Sequence, residues 1–292
     1  MATGNMTITT ADKHIGEVWV TDVLRAQEFK LVIAPRVFRQ WKFAGHGDVY
    51  HVPRRPNIET ETKSASTALT MRTYTDTEQT ITINVHQGAG FKVEDITKVL
   101  SNTDLASEMK QSIGYGLGRA VDVNLATLPQ NFSQNLGTLG NELTYDNFVR
   151  AWRYLADAGI ELTDRCTWFM SPACYGGLLK QEIFISQMYQ GDNPRAVETA
   201  RIGNLLGAPV VVSNLTRAPS AGQSESFLLH QRGVALIMAQ EVKMASEYIA
   251  ADLATVVVGH QIYGYSEVDR YSETAGNITA TDEWLVLLKT IG

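Results

Sequence analysis

Gly114, Gly116 and Gly118, followed by Arg119, are the residues whose spacing comes nearest to a phosphate cradle, since close-set glycines let backbone amides approach an anion. That chemistry needs a strand before the glycines and a Gly-Lys-Ser or Gly-Lys-Thr after them. The sequence has neither, and the glycines fall inside a helical pattern. Ser107 and Lys110 have the Ser-x-x-Lys spacing of an acyl-transfer nucleophile and its base, but the companion Ser-Asp-Asn and Lys-Thr-Gly motifs are missing, so a solvated helix face accounts for them. His46, Asp48 and His51 carry metal-ligating atoms, yet strand alternation sends Asp48 and His51 to opposite faces. His14, His86, His230 and His260 lack a carboxylate or cysteine at triad or zinc spacing. Glu94, Asp95 and Glu273 could serve as acid and base only if the fold gathered them. Cys166 and Cys174 make neither a disulfide framework nor a paired zinc motif and are expected as buried free thiols. No catalytic, cofactor-binding or metal residue is assigned, no cofactor is expected, and the chain reads as a non-enzyme.

Composition narrows the remaining classes. With 292 residues and 44% hydrophobic content, the chain can bury one large core or two modest ones. A net charge of -6 argues against a dedicated nucleic-acid binder, which needs a basic face to release counterions. The first residues lack the basic start and apolar stretch of a signal peptide, and no apolar run approaches the roughly 20 residues that span a bilayer. The expectation is a protein made and used in the cytosol, or in something assembled there, with no membrane partner.

The elements that would position these residues form an α+β pattern. A short helix near 17–30 and an extended arm come first. Leu105, Met109, Ile113, Leu117, Val121 and Leu125 then step by four behind Asp104, a favourable N-cap, and predict a helix of about 24 residues ended by Pro129. The three glycines within it imply either a close backbone neighbour or a kink. After a polar spacer at 130–141, a second helix is predicted with Thr144 as its cap, Phe148, Trp152 and Leu155 inside and Gly159 at its end. Cys166 to Met170, Pro209 to Ser213 and Phe227 to His230 read as buried strands, Pro172 to Lys180 as a short helix, 181–194 as a loop, and Val234 to Ala239 as helical. Alternating strands close the chain around Val256, Tyr263 and Leu287.

One stretch, Gly47 to Gln87, reads as a two-stranded excursion with an apolar stripe and no chemistry. Asp48 to Pro53 is a short strand. Leu69 and Met71, then Ile81, Ile83 and Val85, alternate with polar residues on either side of a turn at 75–79. Between them, Arg54 to Ser66 has Ile58 and Ala65 as its only aliphatic content, a length without structure that is unusual inside a domain. A ribbon with one greasy face is marginal alone in water, so either the rest of this chain or a partner chain must cover it.

Taken in order, arm, extended loop, long helix, mixed central region and late strands resemble the major capsid protein of tailed bacteriophages, with its HK97-like fold. Gly47-Asp48-Val49-Tyr50-His51-Val52-Pro53 is similar to the Gly-Asp-x-Val-x-Ile-Pro lead-in of that family's extended loop, with one fewer residue between Asp and Val. The resemblance continues through Val93-Glu94-Asp95-Ile96, the helix with Gly114, Ala120 and Asp122, the turn Ile202 to Val210, and Tyr263-Gly264-Tyr265. It implies an N-terminal arm (1–44), an extended loop or E-loop hairpin (45–91), a P-domain with the long spine helix (92–130 and 238–270) and an A-domain (131–237 and 271–292).

By the same resemblance, the chain self-assembles as hexamers and pentamers into an icosahedral shell that encloses the double-stranded DNA genome of a tailed phage without sequence-specific binding. Each extended loop lies over a neighbour, which makes Leu69, Met71, Ile81, Ile83 and Val85 the candidate intersubunit contacts. Replacing Ile81 and Ile83 by Asp is then expected to leave a folded subunit that forms no shell. Separate scaffolding and portal proteins, and a decoration or cement protein, are the implied partners, with the virion capsid as the location and the host cytoplasm as the place of assembly. The loop crosslink some relatives form stays open, because Lys63 and Asn57 lie in no matching motif. An encapsulin-type nanocompartment shell protein and a soluble α+β enzyme with a long flap are the alternative readings.

Overall fold

The computed structural model describes residues 31–39, 47–54, 60–69, 71, 77–100, 105–163, 165–181, 183, 202–274, 277–281 and 283–291. The helix expected near 17–30, the cap at Asp104 and most of the loop expected at 181–194 lie outside these residues. The elements follow in chain order as β1 (Val49–Arg54), β2 (Thr77–Thr82), β3 (Val85–Glu94), α1 (Asp95–Leu100), α2 (Leu105–Thr127), β4 (Asn135–Gly137), α3 (Tyr145–Asp157), β5 (Cys166–Met170), α4 (Pro172–Leu179), β6 (Asn204–Leu205), β7 (Ala208–Val212), β8 (Gln223–His230), β9 (Val234–Ile249), β10 (Ala254–Glu267), β11 (Arg270–Thr274), β12 (Asn277–Thr281) and β13 (Leu285–Ile291). The class is α+β, as expected.

The step-of-four series makes α2. Ile113, Leu117, Val121 and Leu125 are buried, and Met109 marks where the buried stripe gives way to solvent. Pro129, which has no N–H to donate, sits in the 3-10 turn Leu128–Asn131 that ends the helix. Of the three glycines, Gly118 is the one with a tight neighbour: a Cβ there would lie 2.7 Å from the Leu31 Cδ1. The close approach is thus made by a side chain. The reverse fit occurs on β10, where a Cβ on Gly259 would lie 2.6 Å from Ile113 Cγ2, so the helix rests directly on that strand.

Two sheets carry the body. A six-stranded mixed sheet has the order β4-β13-β8-β5-β7-β6, and a three-stranded antiparallel sheet has the order β3-β10-β9. Because strand side chains alternate between faces, the larger sheet feeds two cores. Trp168, Met170, Leu228, Val286 and Leu288 pack against Phe148, Ala151 and Leu155 of α3 and against Cys174 and Leu178 of α4. Phe169, Phe227, Leu229, Leu285 and Leu287 pack on the other side with Val121 and Leu125 of α2 and with Val32, Ile33 and Val37. The mainly apolar β5, Thr167 included, is therefore buried on both faces.

Four expectations differ from the structure. Val234 to Ala239 is the start of β9, not a helix. Its alternate residues enter separate cores, Val234 and Leu236 in one and Ala235 and Ile237 in another, and its ladder to β10 outweighs local propensity. Trp152 is 40% exposed, whereas Phe148 and Leu155 on the same helix are fully buried. Part of the spacer at 130–141 forms β4, which runs parallel to β13. Finally, β2 pairs antiparallel with β1, in the register Val49 to Thr82 through Arg54 to Thr77. The ribbon is thus built from Val49–Arg54, while Leu69 and Met71 belong to no strand and Thr77 to Gln79 lie in β2 instead of the turn.

Candidate assembly surface

The foot of the ribbon is clamped onto its own chain. Ile81 is 0% exposed and packs with Ala235, Ile237 and Val268. Ile83 is half-buried against the same cluster, and Val85, the first residue of β3, leans on the larger core. Gly264 makes this possible, because a Cβ at that position would lie 2.6 Å from the Thr82 carbonyl oxygen and 2.9 Å from Ile83 Cα. Gln79 Nε2 adds a hydrogen bond to the Glu267 carbonyl at 2.8 Å.

This corrects the reading of Ile81 as an intersubunit contact. The chain's own β9 and the residue after β10 already cover it, and an aspartate at 81 would be a buried, unpaired charge that undermines the subunit itself. Ile83 and Val85 are largely engaged within the chain, with a remaining edge at the surface. Leu69 at 50% and Met71 at 91% exposure are the members of the set that face outward.

A second apolar surface was missed in the sequence. From Glu241 onward, β9 leaves the core and all nine residues to Ile249 are exposed, including Val242, Met244, Tyr248 and Ile249. The hairpin to β10 ends at Leu253, which is 64% exposed and left-handed at φ +45°, an unusual conformation for a leucine. The helix α1, whose first residue Asp95 bonds to Leu253, exposes Ile96 and Val99, the latter at 82%. The tip is ordered by polar ties. Tyr248 Oη donates to Asp95 Oδ2 at 2.8 Å, a bond to a carboxylate that pushes the phenol pKa up. Lys92 Nζ reaches Asp252 at 2.6 Å, and the Asp95 amide donates to the Leu253 carbonyl at 2.9 Å. The alternation Val242, Met244, Tyr248 was a legible strand signal, but exposure of both faces had no signature.

Of the residues first weighed for catalysis, His14 and His46 lie outside the described residues, and the described ones form no common site. His51 pairs with Glu78 across β1 and β2. His86 and His260 meet edge to face at 5.6 Å, and His260 Nε2 lies 2.6 Å from Gln240 Nε2. His230 is buried, stacked at 4.6 Å on Trp284, and its Nδ1 accepts from the Arg232 amide at 3.2 Å. Burial, with help from Arg232 and Arg165, lowers its pKa to about 4, so the ring is neutral and held as an acceptor. Cys166 and Cys174 are buried free thiols, as expected, and burial pushes both to about 11. Among the described residues, no group of three or more His, Cys, Asp or Glu converges as a metal site. None of the helices formed by those residues is long and apolar enough to cross a membrane. A groove of about 530 Å³ beside α3, lined by Trp152, Ile160, Glu161 and Thr163 among others, has Glu161 as the one ionisable group among its described lining residues.

No family model matches the chain, and no curated protein matches it. Solved structures do. A Mycobacterium phage Che8 structure superposes with a TM-score of 0.79 at 18% identity, covering 94% of this chain and 96% of that one. The capsid structure of the Cyanophage P-SCSP1u gives 0.77 at 14%, covering 96% and 94%. The acidic stable capsid structure of Helicobacter pylori bacteriophage KHP30 gives 0.79 at 11%, covering 100% and 99%. The chain has the fold of these structures along nearly its whole length.

Proposed function

We propose that the chain is a major capsid protein, a coat subunit whose copies assemble into an icosahedral shell around the double-stranded DNA of a tailed phage. The observation that carries this reading is the two-way coverage: the chain fills almost all of a capsid subunit's fold and has almost nothing left over for another task. The outward surfaces support it. Large apolar side chains at Leu69, Met71, Ile96, Val99 and Leu253 stand in solvent on a single subunit. Burying each against a neighbour is worth ~1.5 to 3 kcal/mol before ordering costs, and a closed shell repeats the gain at every interface.

On this reading the arm is 1–44, the extended loop 45–91, the P-domain with α2 as its spine 92–130 and 238–270, and the A-domain 131–237 with 271–292. Hexamers and pentamers of the chain, separate scaffolding and portal proteins and a decoration protein are its partners, and assembly takes place in the host cytoplasm. The net charge of -6 fits DNA that is enclosed, not gripped. No catalytic step is assigned. The resemblance to phage capsids weighs against both alternatives, the nanocompartment and the soluble enzyme.

The test is size-exclusion chromatography with light scattering on the full chain, co-expressed with the proteins encoded beside it, followed by electron microscopy. Shells of very large mass are expected. A chain that stays a monomer or small oligomer under all such conditions overturns the reading, and particles that copurify with an enzyme instead of nucleic acid favour the nanocompartment.

A further inference from the structure

We infer that Asp122 is the anchor that holds the segment 31–34 to the body of the subunit, and that uniform shell formation depends on it; this second part rests on the capsid reading above. Asp122 lies in the last third of α2 and is completely buried. Its Oδ2 accepts from the amides of Val32 at 2.7 Å and Ile33 at 3.2 Å, and its Oδ1 accepts from Ala34 at 2.8 Å. Three consecutive backbone N–H groups, 88 to 90 residues earlier in the chain, thus converge on one carboxylate. A buried carboxylate is tolerated only where its oxygens are satisfied, so helix and segment require each other.

The surroundings are shaped for the same contact. The amides lead into the 3-10 turn Ala34–Arg36, and Arg36 Nη1 ties that turn back to the Val32 carbonyl at 3.2 Å. Val32, Ile33 and Val37 enter the core beside Val121 and Leu125. Gly118, one helical turn before Asp122, leaves the space that Leu31 fills. Downstream, Phe38 is fastened separately, donating to the Val234 carbonyl and accepting from the Leu236 amide, both at 3.0 Å. Among the described residues, Asp122 thus holds the first stretch of the chain, and the next backbone fastening is at Phe38. Losing the first loosens residues 31–34. In an assembling shell that changes both the direction and the slack of any segment reaching a neighbour.

The test uses full-length Asp122→Asn, Gly118→Val and, as a control on the exposed face of the same helix, Val123→Ala. Asparagine keeps the size but turns an amide group towards amides; valine displaces Leu31 while leaving Asp122 intact. Hydrogen exchange read by mass spectrometry is expected to rise tenfold or more at 31–34 in the first two variants, with β5 and β8 still protected. Shells from both are expected to be lost or irregular, and those from the control normal. Unchanged exchange at 31–34 overturns the anchor. Raised exchange with normal shells overturns its role in assembly. Global loss of protection in both variants reduces Asp122 to a purely structural role and also overturns the inference. If the wild-type chain forms no shells, the capsid reading fails while the exchange data still judge the anchor.

Discussion

Ile81→Ala distinguishes a side chain that holds the ribbon's foot to its own subunit from one that waits for a neighbour. Ile81 is fully buried against Ala235, Ile237 and Val268. The substitution removes three carbons, worth about 2.4 kcal/mol of transfer free energy at ~0.8 kcal/mol each. The cavity adds to this, because Gly264 already holds the backbone of Thr82 and Ile83 close and leaves little room for collapse. A total of roughly 3 to 4 kcal/mol is expected, within the range for large-to-small core changes. Urea denaturation of the unassembled subunit measures it. The paired control is Met71→Ala, at a site 91% exposed, which should alter subunit stability by less than about 0.5 kcal/mol. If the Met71 side chain is buried in the shell, the same variant should raise the critical concentration for assembly about tenfold, equivalent to ~1.4 kcal/mol per contact. A loss below about 1 kcal/mol for Ile81→Ala would show the foot to be loosely held and refute the clamp. An unchanged critical concentration for Met71→Ala would remove that residue from the interface.

Other outcomes follow from the same geometry. Leu253→Gly relieves a left-handed backbone but gives up a large exposed apolar side chain, so subunit stability should stay level or rise by up to ~1 kcal/mol while shell yield falls; normal yield would take the tip out of assembly. Cys166 and Cys174 should resist a thiol reagent at pH 8 in the native subunit and react promptly in denaturant, and fast native labelling would contradict their burial. His230 has its folded pKa lowered to about 4, so its neutral form contributes stability that is fully present above the ordinary histidine value near 6.5 and is lost as pH falls towards 4. Denaturation midpoints measured across that window should flatten in His230→Gln, and an identical pH dependence in both proteins would refute the assignment.

The helix α2 was legible because Ile113, Leu117, Val121 and Leu125 repeat at the helical period, and β5 because four apolar residues and one threonine lie between polar flanks. What misled was local pattern without knowledge of its partner. Leu69 and Met71 alternate like a strand but find no ladder, whereas Val234 to Ala239 looks helical and becomes a strand because Leu236 and Val234 pair with Tyr265 and Glu267 some thirty residues later. Within the candidate set, period two placed Ile81 and Met71 on one stripe, and tertiary contacts sent the first inward and left the second outside. Asp122 gave a faint signal, as a carboxylate between Val121 and Val123 on an apolar helix. Its three amides, near residue 33, could be found only in the fold.

The crossing from the larger sheet to the smaller one has a mechanical consequence. β8 passes into β9 through only the turn Gln231–Gly233, and Gly233 is wedged there, since a Cβ would lie 2.7 Å from Trp284 Cβ. β9 then runs sixteen residues to the exposed tip, about 50 Å at strand rise. The crowded joint leaves no room to pivot at the root, so a push at Leu253 is taken up along the strand, at the register shifts that break its ladder to β10 between Met238 and Lys243.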